Sequence, residues 1–227
     1  MCGRFTEKAK AEKIAGDLKV PVSRIPKIKP RYNIAPSQPV LCMLRGKEQE
    51  PSVEFFRWGL IPAWAKDPSV GQRMINARAD TLTAKPSFRT LMEKNRCLVI
   101  ADGFYEWKNE GGRKIPYYIR LKSDSVFTFA GLWSEWHSRE GDTIRSCTII
   151  TGEPNALLKP IHPRMPVIVS EKSRMTWLRP GHGELPDVMA CLTPYPASEM
   201  EAYPVSTLVN KPGNDFVECI QPLPHLN

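Results

Sequence analysis

The residues with the clearest chemical potential stand at the start of the chain, which begins Met1-Cys2-Gly3-Arg4-Phe5. If Met1 is removed, Cys2 carries an α-amine and a thiol on adjacent carbon atoms. The α-amine titrates near about pH 8 and the thiol only slightly higher. Such an aminothiol captures aldehydes, because the amine forms an imine and the thiol then closes a ring in a favoured intramolecular step. The alternative is a cysteine that stands by accident in a disordered terminus.

A second candidate is Glu106, which lies in the segment RCLVIADGFYEWK at residues 96–108. In a strand, Tyr105 and Trp107 point to the opposite face from Glu106. A carboxyl group among aromatic neighbours is partly desolvated, which raises its pKa and lets it exchange protons near neutrality. The alternative is a surface carboxylate that pairs with Lys108 or a nearby arginine.

The polar run INARAD at residues 75–80 supplies two further candidates. Asn76 can orient an amine or hold a sugar hydroxyl, although asparagine more often caps a helix or forms a turn. Arg78 can clamp a phosphate in bidentate fashion. Its alternative is a surface salt bridge with Asp80.

His162 lies between Pro160 and Pro163, at the mouth of an apolar strand. An imidazole in such a place can relay protons near pH 7, and the two prolines restrict the backbone around it. A lone histidine is more often structural, so the prediction depends on the other clusters.

Arginine and tryptophan residues are interspersed along these segments, which is typical of a groove for single-stranded nucleic acid. They are Arg4, Arg31, Trp58, Trp64, Arg78, Trp107 and Arg164. Trp64 is the better candidate for stacking on a base because it lies in a proline-flanked loop, whereas Trp58 and Trp107 are predicted to be core residues. The net charge of +8 fits either a polyanionic partner or a merely basic protein.

The elements that must position these residues are mostly short strands bounded by turn residues. The predicted strands span residues 38–44, 53–60, 97–101, 103–108, 117–121, 126–133, 147–151 and 166–170. The predicted helices span residues 7–18, 88–95, 154–159, 171–178 and 186–192, with Thr6 as the cap of the first. Residues 19–37 are predicted to be a proline-rich loop, and Asp102-Gly103 a turn between two strands. The pattern predicts one α+β domain over residues 1–227, with a curved, barrel-like and mostly antiparallel sheet and peripheral helices.

The cysteines and the apolar runs indicate the compartment. The six cysteines show no C-x-x-C spacing, so no zinc site or thioredoxin motif is predicted, and Cys97 and Cys147 read as small core residues. We see no signal peptide and no membrane span. We therefore expect a reducing, cytoplasmic compartment. We also expect a monomer, which would associate with the nucleoid when bound to DNA. No motif predicts a metal or a nucleotide cofactor.

Eight segments follow one another along nearly the whole chain: MCGRF (1–5), RYNIAP (31–36), WGLIPAW (58–64), INARAD (75–80), RCLVIADGFYEW (96–107), FAGLW (129–133), CTIIT (147–151) and HPRMPVIV (162–169). Together they resemble the SRAP (SOS-response-associated peptidase) family, which processes abasic sites as DNA–protein crosslinks. Each segment alone is weak, but the ordered set is specific. Asp80 stands where the family often has Glu, and VNKPGNDFVEC (209–219) is a looser match.

The resemblance implies a role for each candidate. Cys2 would capture the aldehyde of an abasic site in single-stranded DNA as a thiazolidine, after the chain removes its own Met1. Asn76 would position the α-amine or the abasic residue, Glu106 would assist sugar opening and shuttle protons, and His162 would complete the relay and help reversal or strand scission, an AP lyase activity. The phosphate-binding residues would be Arg4, Arg78 and Arg164.

Two other functions fit parts of the sequence. An N-terminal-nucleophile glutamine amidotransferase also begins Met-Cys-Gly, and its thiolate attacks a glutamine amide. Against it stand the basic charge and the lack of a recognisable synthetase segment. A non-covalent single-strand-binding module, in which Cys2 is incidental, would bind DNA in a salt-dependent way without regard to the lesion.

Overall fold

The computed structural model describes residues 2–46, 50–179, 181 and 185–224, which form thirteen strands and four α-helices. The strands are β1 (Phe5–Glu7), β2 (Arg31–Ile34), β3 (Pro39–Arg45), β4 (Pro51–Trp58), β5 (Asn76–Arg78), β6 (Arg96–Ala101), β7 (Gly103–Glu110), β8 (Arg113–Leu121), β9 (Phe127–His137), β10 (Thr143–Gly152), β11 (Met165–Pro166), β12 (Ile168–Val169) and β13 (Met200–Pro204). The helices are α1 (Ala11–Leu18), α2 (Pro86–Lys94), α3 (Arg174–Leu178) and α4 (Leu185–Ala190). Within these residues no helix is long and apolar enough to cross a membrane.

Five strands close into a barrel in the order β10, β4, β3, β6 and β9, because β9 also pairs with β10. The short strands β5 and β11 pair with β10, and β12 pairs with β9. Only β4 and β5 run parallel to β10 among the described pairings. A second, antiparallel sheet has the order β13, β8, β7, β1 and β2. The predicted α+β fold with a barrel-like, mostly antiparallel sheet is confirmed.

The core is layered because both faces of the barrel strands are covered. Leu98 and Ile100 of β6 belong to the cluster that the helices cover. Cys97 and Val99 alternate with them and belong to a second cluster, which Phe5 of the second sheet joins. Since apolar layers lie on both sides, β6 is apolar at nearly every position.

The outer face of the second sheet is covered by the C-terminal segment, residues 206–224. Tyr105 and Tyr118 pack there against Val209 and Cys219. Asp215 accepts hydrogen bonds from the backbone N–H groups of Tyr32 (2.5 Å) and Asn33 (2.9 Å) on β2. The last part of the chain is thereby fastened to the strand next to β1.

The helix predicted at residues 7–18 begins only at Ala11, and residues 5–7 form β1. Thr6 does not cap it: its hydroxyl donates to Asp102 Oδ1 (2.6 Å) instead. The hydrogen bond to Asp102 therefore holds in a strand the residues that the local sequence pattern predicts to begin a helix.

Some other local predictions were also wrong. The predicted loop at residues 19–37 contains β2, and the predicted helix at residues 154–159 is a series of turns. The predicted turn at Asp102-Gly103 does lie between two strands, but these belong to different sheets, β6 to the barrel and β7 to the second sheet. The helical segment predicted at residues 171–178 is present, as a 3-10 turn that continues into α3. Neither β5 nor β13 was predicted.

Candidate active site

Cys2 is fully buried and lies three residues before Phe5, the first residue of β1. Its Sγ lies 3.9 Å from the backbone oxygen of Arg4, which also accepts a hydrogen bond from the N–H of Tyr105 (3.0 Å). Burial, followed by the nearby charge of Glu106, raises the pKa of the Cys2 thiol far above its usual value, so the thiol is neutral here. Met1 lies outside the described residues, so its removal stays a prediction.

Asn76 holds the backbone of Cys2 from the barrel side. It lies on β5, opposite Ile149 of β10, and its Nδ2 donates to Cys2 O at 2.8 Å. Its Oδ1 is buried and has no hydrogen-bond partner among the described residues. The Asn76 amide therefore holds the backbone carbonyl of Cys2, and its Oδ1 remains as a buried acceptor next to that residue.

Glu106 lies on β7, directly across from Tyr117 of β8, and is 1% exposed. Burial raises the pKa of its carboxyl to about 7. The ion pair of the nearby Lys108 is with Glu110 (2.5 Å). The desolvated carboxyl predicted from the aromatic neighbours is therefore present.

His162 follows β10, in the segment that leads to β11. Its Nδ1 lies 2.9 Å from the backbone oxygen of Arg164 and 3.1 Å from the backbone nitrogen of Arg164, which fixes the ring. Burial lowers the pKa of the imidazole, which favours its neutral form.

Glu106 and His162 line one open cleft of about 580 Å³ together with Trp107, Lys114 and Asn210. Lys114 and Asn210 are additions that sequence reasoning missed. The loosely matching segment at residues 209–219 was the available signal for Asn210, whose Oδ1 accepts a hydrogen bond from the indole of Trp107 (2.8 Å). Trp107 was predicted to be a core residue, but it is only partly buried, because it lies at this cleft.

The three arginines predicted to bind phosphate all have protein partners. Arg4 Nη1 donates to Asn33 Oδ1 (2.9 Å) and to Val209 O (2.7 Å). Arg164 Nη2 donates to the backbone oxygen of Thr151 at 2.6 Å and to its hydroxyl at 2.7 Å. Their phosphate contacts stay predictions.

Arg78 forms the surface salt bridge with Asp80 that was the alternative to a phosphate-binding role. Arg78 Nε lies 3.0 Å from Oδ1 and Nη2 lies 2.5 Å from Oδ2, with both side chains half exposed. Arg164 lies close enough to Arg78 for their charges to interact, and that repulsion, after burial, lowers the pKa of Arg164.

The tryptophans divide by exposure. Trp58 is fully buried and its indole donates to the backbone oxygen of Ile75 (2.9 Å), next to Asn76. Trp64 is 72% exposed, so its ring is available to a partner, and its stacking role stays a prediction.

Fold and site define a class of α+β protein in which a buried cysteine near the N-terminus is held by an amide and lies close to a carboxyl, and that carboxyl shares one cleft with an imidazole. The chain belongs to the SOS response associated peptidase (SRAP) family, whose model matches residues 1–212. A solved structure from Bacteroides thetaiotaomicron has the same fold, with a TM-score of 0.85, 30% identity and coverage of 98% of this chain and 100% of that one.

Three relatives carry names that state a function. The chain is 44% identical over 224 residues to the abasic site processing protein YoqW of Bacillus subtilis, covering 97% of this chain and 99% of that protein. It is 30% identical over 228 residues to the abasic site processing protein YedK of Escherichia coli, covering 98% and 100%. It is 33% identical over 224 residues to the abasic site processing protein HMCES of Xenopus tropicalis, covering 86% of this chain and 66% of that protein.

Proposed function

We propose that this chain processes abasic sites in single-stranded DNA by covalent capture through Cys2, after removing its own Met1. The observation that carries the proposal is the hydrogen bond of 2.8 Å from Asn76 Nδ2 to Cys2 O, beside a carboxyl whose pKa is about 7. This arrangement supports a positioned aminothiol with a proton carrier near it. The names of the relatives support the abasic site as the substrate.

The reaction needs proton transfer at each stage. Opening of the abasic sugar breaks the bond between C1′ and the ring oxygen and moves the C1′ hydroxyl proton to that oxygen; Glu106 can carry the proton, accepting it as carboxylate and returning it to the ring oxygen. The α-amine of Cys2 then adds to the aldehyde carbon, and one water leaves as the imine forms. The neutral thiol adds across the imine, its proton passing to the imine nitrogen through the carboxyl of Glu106, and a thiazolidine results. The balance is aldehyde plus aminothiol giving thiazolidine plus water.

The remaining candidates act around this chemistry. His162 relays protons at the mouth of the cleft and assists reversal or strand scission by a lyase reaction. Arg4, Arg78 and Arg164 hold flanking phosphates, for which Arg78 must leave Asp80. Trp64 stacks on an unpaired base. Cys2 is buried and does not itself line the cleft, so the lesion would enter past Glu106 and His162, and Glu106 is close enough for its charge to act on the Cys2 thiol.

The test mixes protein whose intact mass lacks Met1 with a single-stranded oligonucleotide that carries one abasic site. We expect a heat-stable shifted band in a denaturing gel. Cys2→Ala should abolish the band, whereas Cys191→Ala should retain it, because Cys191 lies near α4 and contacts Ser173 and Asp187.

Two other outcomes would replace the proposal. Salt-dependent binding without a crosslink, equal for intact and abasic strands, would favour the non-covalent binding module. Ammonia release from glutamine that depends on Cys2 would favour the amidotransferase.

A further inference from the structure

The carboxylate of Asp102 gathers three hydrogen bonds from one short stretch of chain. Oδ1 accepts from the hydroxyl of Thr6 (2.6 Å), and Oδ2 accepts from the backbone N–H groups of Lys8 and Ala9 (2.7 Å each). The N–H of Asp102 also donates to Thr6 O (3.1 Å). Asp102 is 2% exposed, and a buried carboxylate is tolerated only with such partners.

A fourth group extends this network into the second sheet. The hydroxyl of Tyr118 lies 2.9 Å from Thr6 Oγ1. Since the proton of Thr6 goes to Asp102, Tyr118 is the donor of this bond. The approach requires Gly103, because a Cβ at that position would lie 2.0 Å from the Tyr118 hydroxyl oxygen.

The network stands where the two reactive segments meet. Cys2 lies four residues before Thr6, and Glu106 lies four residues after Asp102. The ladder between β1 and β7 joins only Phe5 with Phe104 and Thr6 with Gly103. Outside this short ladder, the N–H of Tyr105 donates to Arg4 O (3.0 Å), and Asp102 adds its four hydrogen bonds with residues 6–9 at the other end.

We propose that Asp102 is a positioning residue for the Cys2 reaction, which sets the separation of Cys2 and Glu106 by clamping β1 to the crossover between β6 and β7. This inference rests on the proposed function. Asp102 does not touch the substrate and acts through Thr6, Lys8 and Ala9. Misplacement of reacting groups by about 1 Å lowers rates by up to roughly a hundredfold.

The experiment measures the crosslinking rate at saturating abasic oligonucleotide, and separately the dissociation constant for an undamaged strand. We expect Asp102→Ala to lower the rate at least about tenfold and to change the dissociation constant less than about twofold. Asp102→Asn should restore the rate to within about threefold of the wild-type rate. Its oxygen can accept from Lys8 and Ala9 while its amide donates to Thr6, whose hydroxyl then turns to donate to the Tyr118 oxygen.

Asp17→Ala is the matched control, because the Asp17 carboxylate also accepts from a backbone N–H, that of Val126 (2.7 Å). It should lower stability and leave the crosslinking rate of the folded protein unchanged. If Asp102→Ala does not fold, Thr6→Val and Thr6→Ser decide: the first should slow crosslinking and the second should retain it.

The outcomes separate the two proposals. A wild-type rate in folded Asp102→Ala, or in Thr6→Val when Asp102→Ala does not fold, overturns the positioning role alone. So does a rate that Asp102→Asn fails to restore. Wild-type protein that forms no crosslink overturns the proposed function and the positioning role with it.

Discussion

At the scale of single residues, Glu106 combines a carboxyl group with an environment that suits the protonated form. It is buried on β7, and burial raises its pKa to about 7. Near neutrality both protonation states are then populated, so one side chain can accept a proton at one stage and return it at the next. The same burial makes the charged form costly to the fold.

This cost predicts that Glu106→Gln stabilises the protein at alkaline pH. Between about pH 4.3 and pH 7 the folded protein keeps a proton that the unfolded chain has lost, so the stability of the wild-type protein falls as the pH rises. Glutamine removes this dependence. We expect a gain in the free energy of unfolding on the order of 2 kcal/mol at pH 8 and little change at pH 4, measured by urea denaturation.

The matched control is Glu110→Gln, an exposed carboxylate on the same strand. It should change the stability by less than about 0.5 kcal/mol at both values. A gain for Glu106→Gln that is equal at pH 4 and pH 8 would contradict the linkage.

The ion pair of Arg78 with Asp80 leads to a second prediction at this scale. Exposed pairs contribute at most about 1 kcal/mol, so a phosphate can displace Asp80 at small cost. Asp80→Asn should tighten binding to a single strand several-fold at low salt. It should also steepen the salt dependence by about 0.7 in log–log slope, as expected for one more phosphate contact. Fluorescence anisotropy over a salt series measures both.

Asp142→Asn changes the net charge equally at an exposed position between β9 and β10, and it should leave the slope unchanged. Equal effects of the two variants would show that net charge, and not release of Arg78, governs the affinity.

At the scale of elements, the hydrophobic pattern of a segment predicted a strand correctly where both faces of that strand are buried. The apolar run at residues 96–101 predicted β6 because both of its faces are buried. The strand β1 has three residues and pairs with β2 and β7, both distant along the chain; Phe5, for example, lies opposite Ile34 and Phe104. A cap residue followed by charged side chains predicts a helix start. The hydroxyl of Thr6 instead donates a hydrogen bond to Asp102, which is 96 residues away in sequence. Local propensity cannot show such a partner.

The candidate site was predictable in its residue types and not in its geometry. The aromatic residues around Glu106 in the sequence led to the expectation of a desolvated carboxyl, although Tyr105 and Trp107 themselves pack on the other face of β7. The bond from Asn76 to Cys2 depends on β5 lying parallel to β10, which three residues of sequence do not reveal. The pairing of Arg78 with Asp80 joins two residues close in sequence, and the alternative interpretation, a surface salt bridge, described this contact correctly.

At the scale of the whole molecule, the segment around Cys2 meets the C-terminal segment, residues 206–224, at one site. Arg4, two residues after Cys2, donates to Val209 O and to Asn33 Oδ1. Asn33 Nδ2 in turn donates to the backbone oxygens of Val209 (3.1 Å), Lys211 (3.0 Å) and Asn214 (2.8 Å). The C-terminal segment thus carries Asn210 to the cleft and restrains Arg4 at the same time.

We therefore expect Asn33→Ala to release the C-terminal segment before the rest of the fold. Asn33 is fully buried, and its loss leaves three carbonyl groups and Arg4 without this partner, at a cost of about 2–4 kcal/mol. Hydrogen exchange of peptides covering residues 206–219 should become faster, while peptides of β6 and β9 keep their protection. Asn155→Ala is the control, since Asn155 is equally a buried amide and donates to Tyr195 O (2.7 Å). It should destabilise the protein without selective exchange in residues 206–219. If hydrogen exchange in Asn33→Ala became faster to the same extent in all peptides, the C-terminal segment would unfold only together with the whole molecule. The restraint on Arg4 would then depend on global stability.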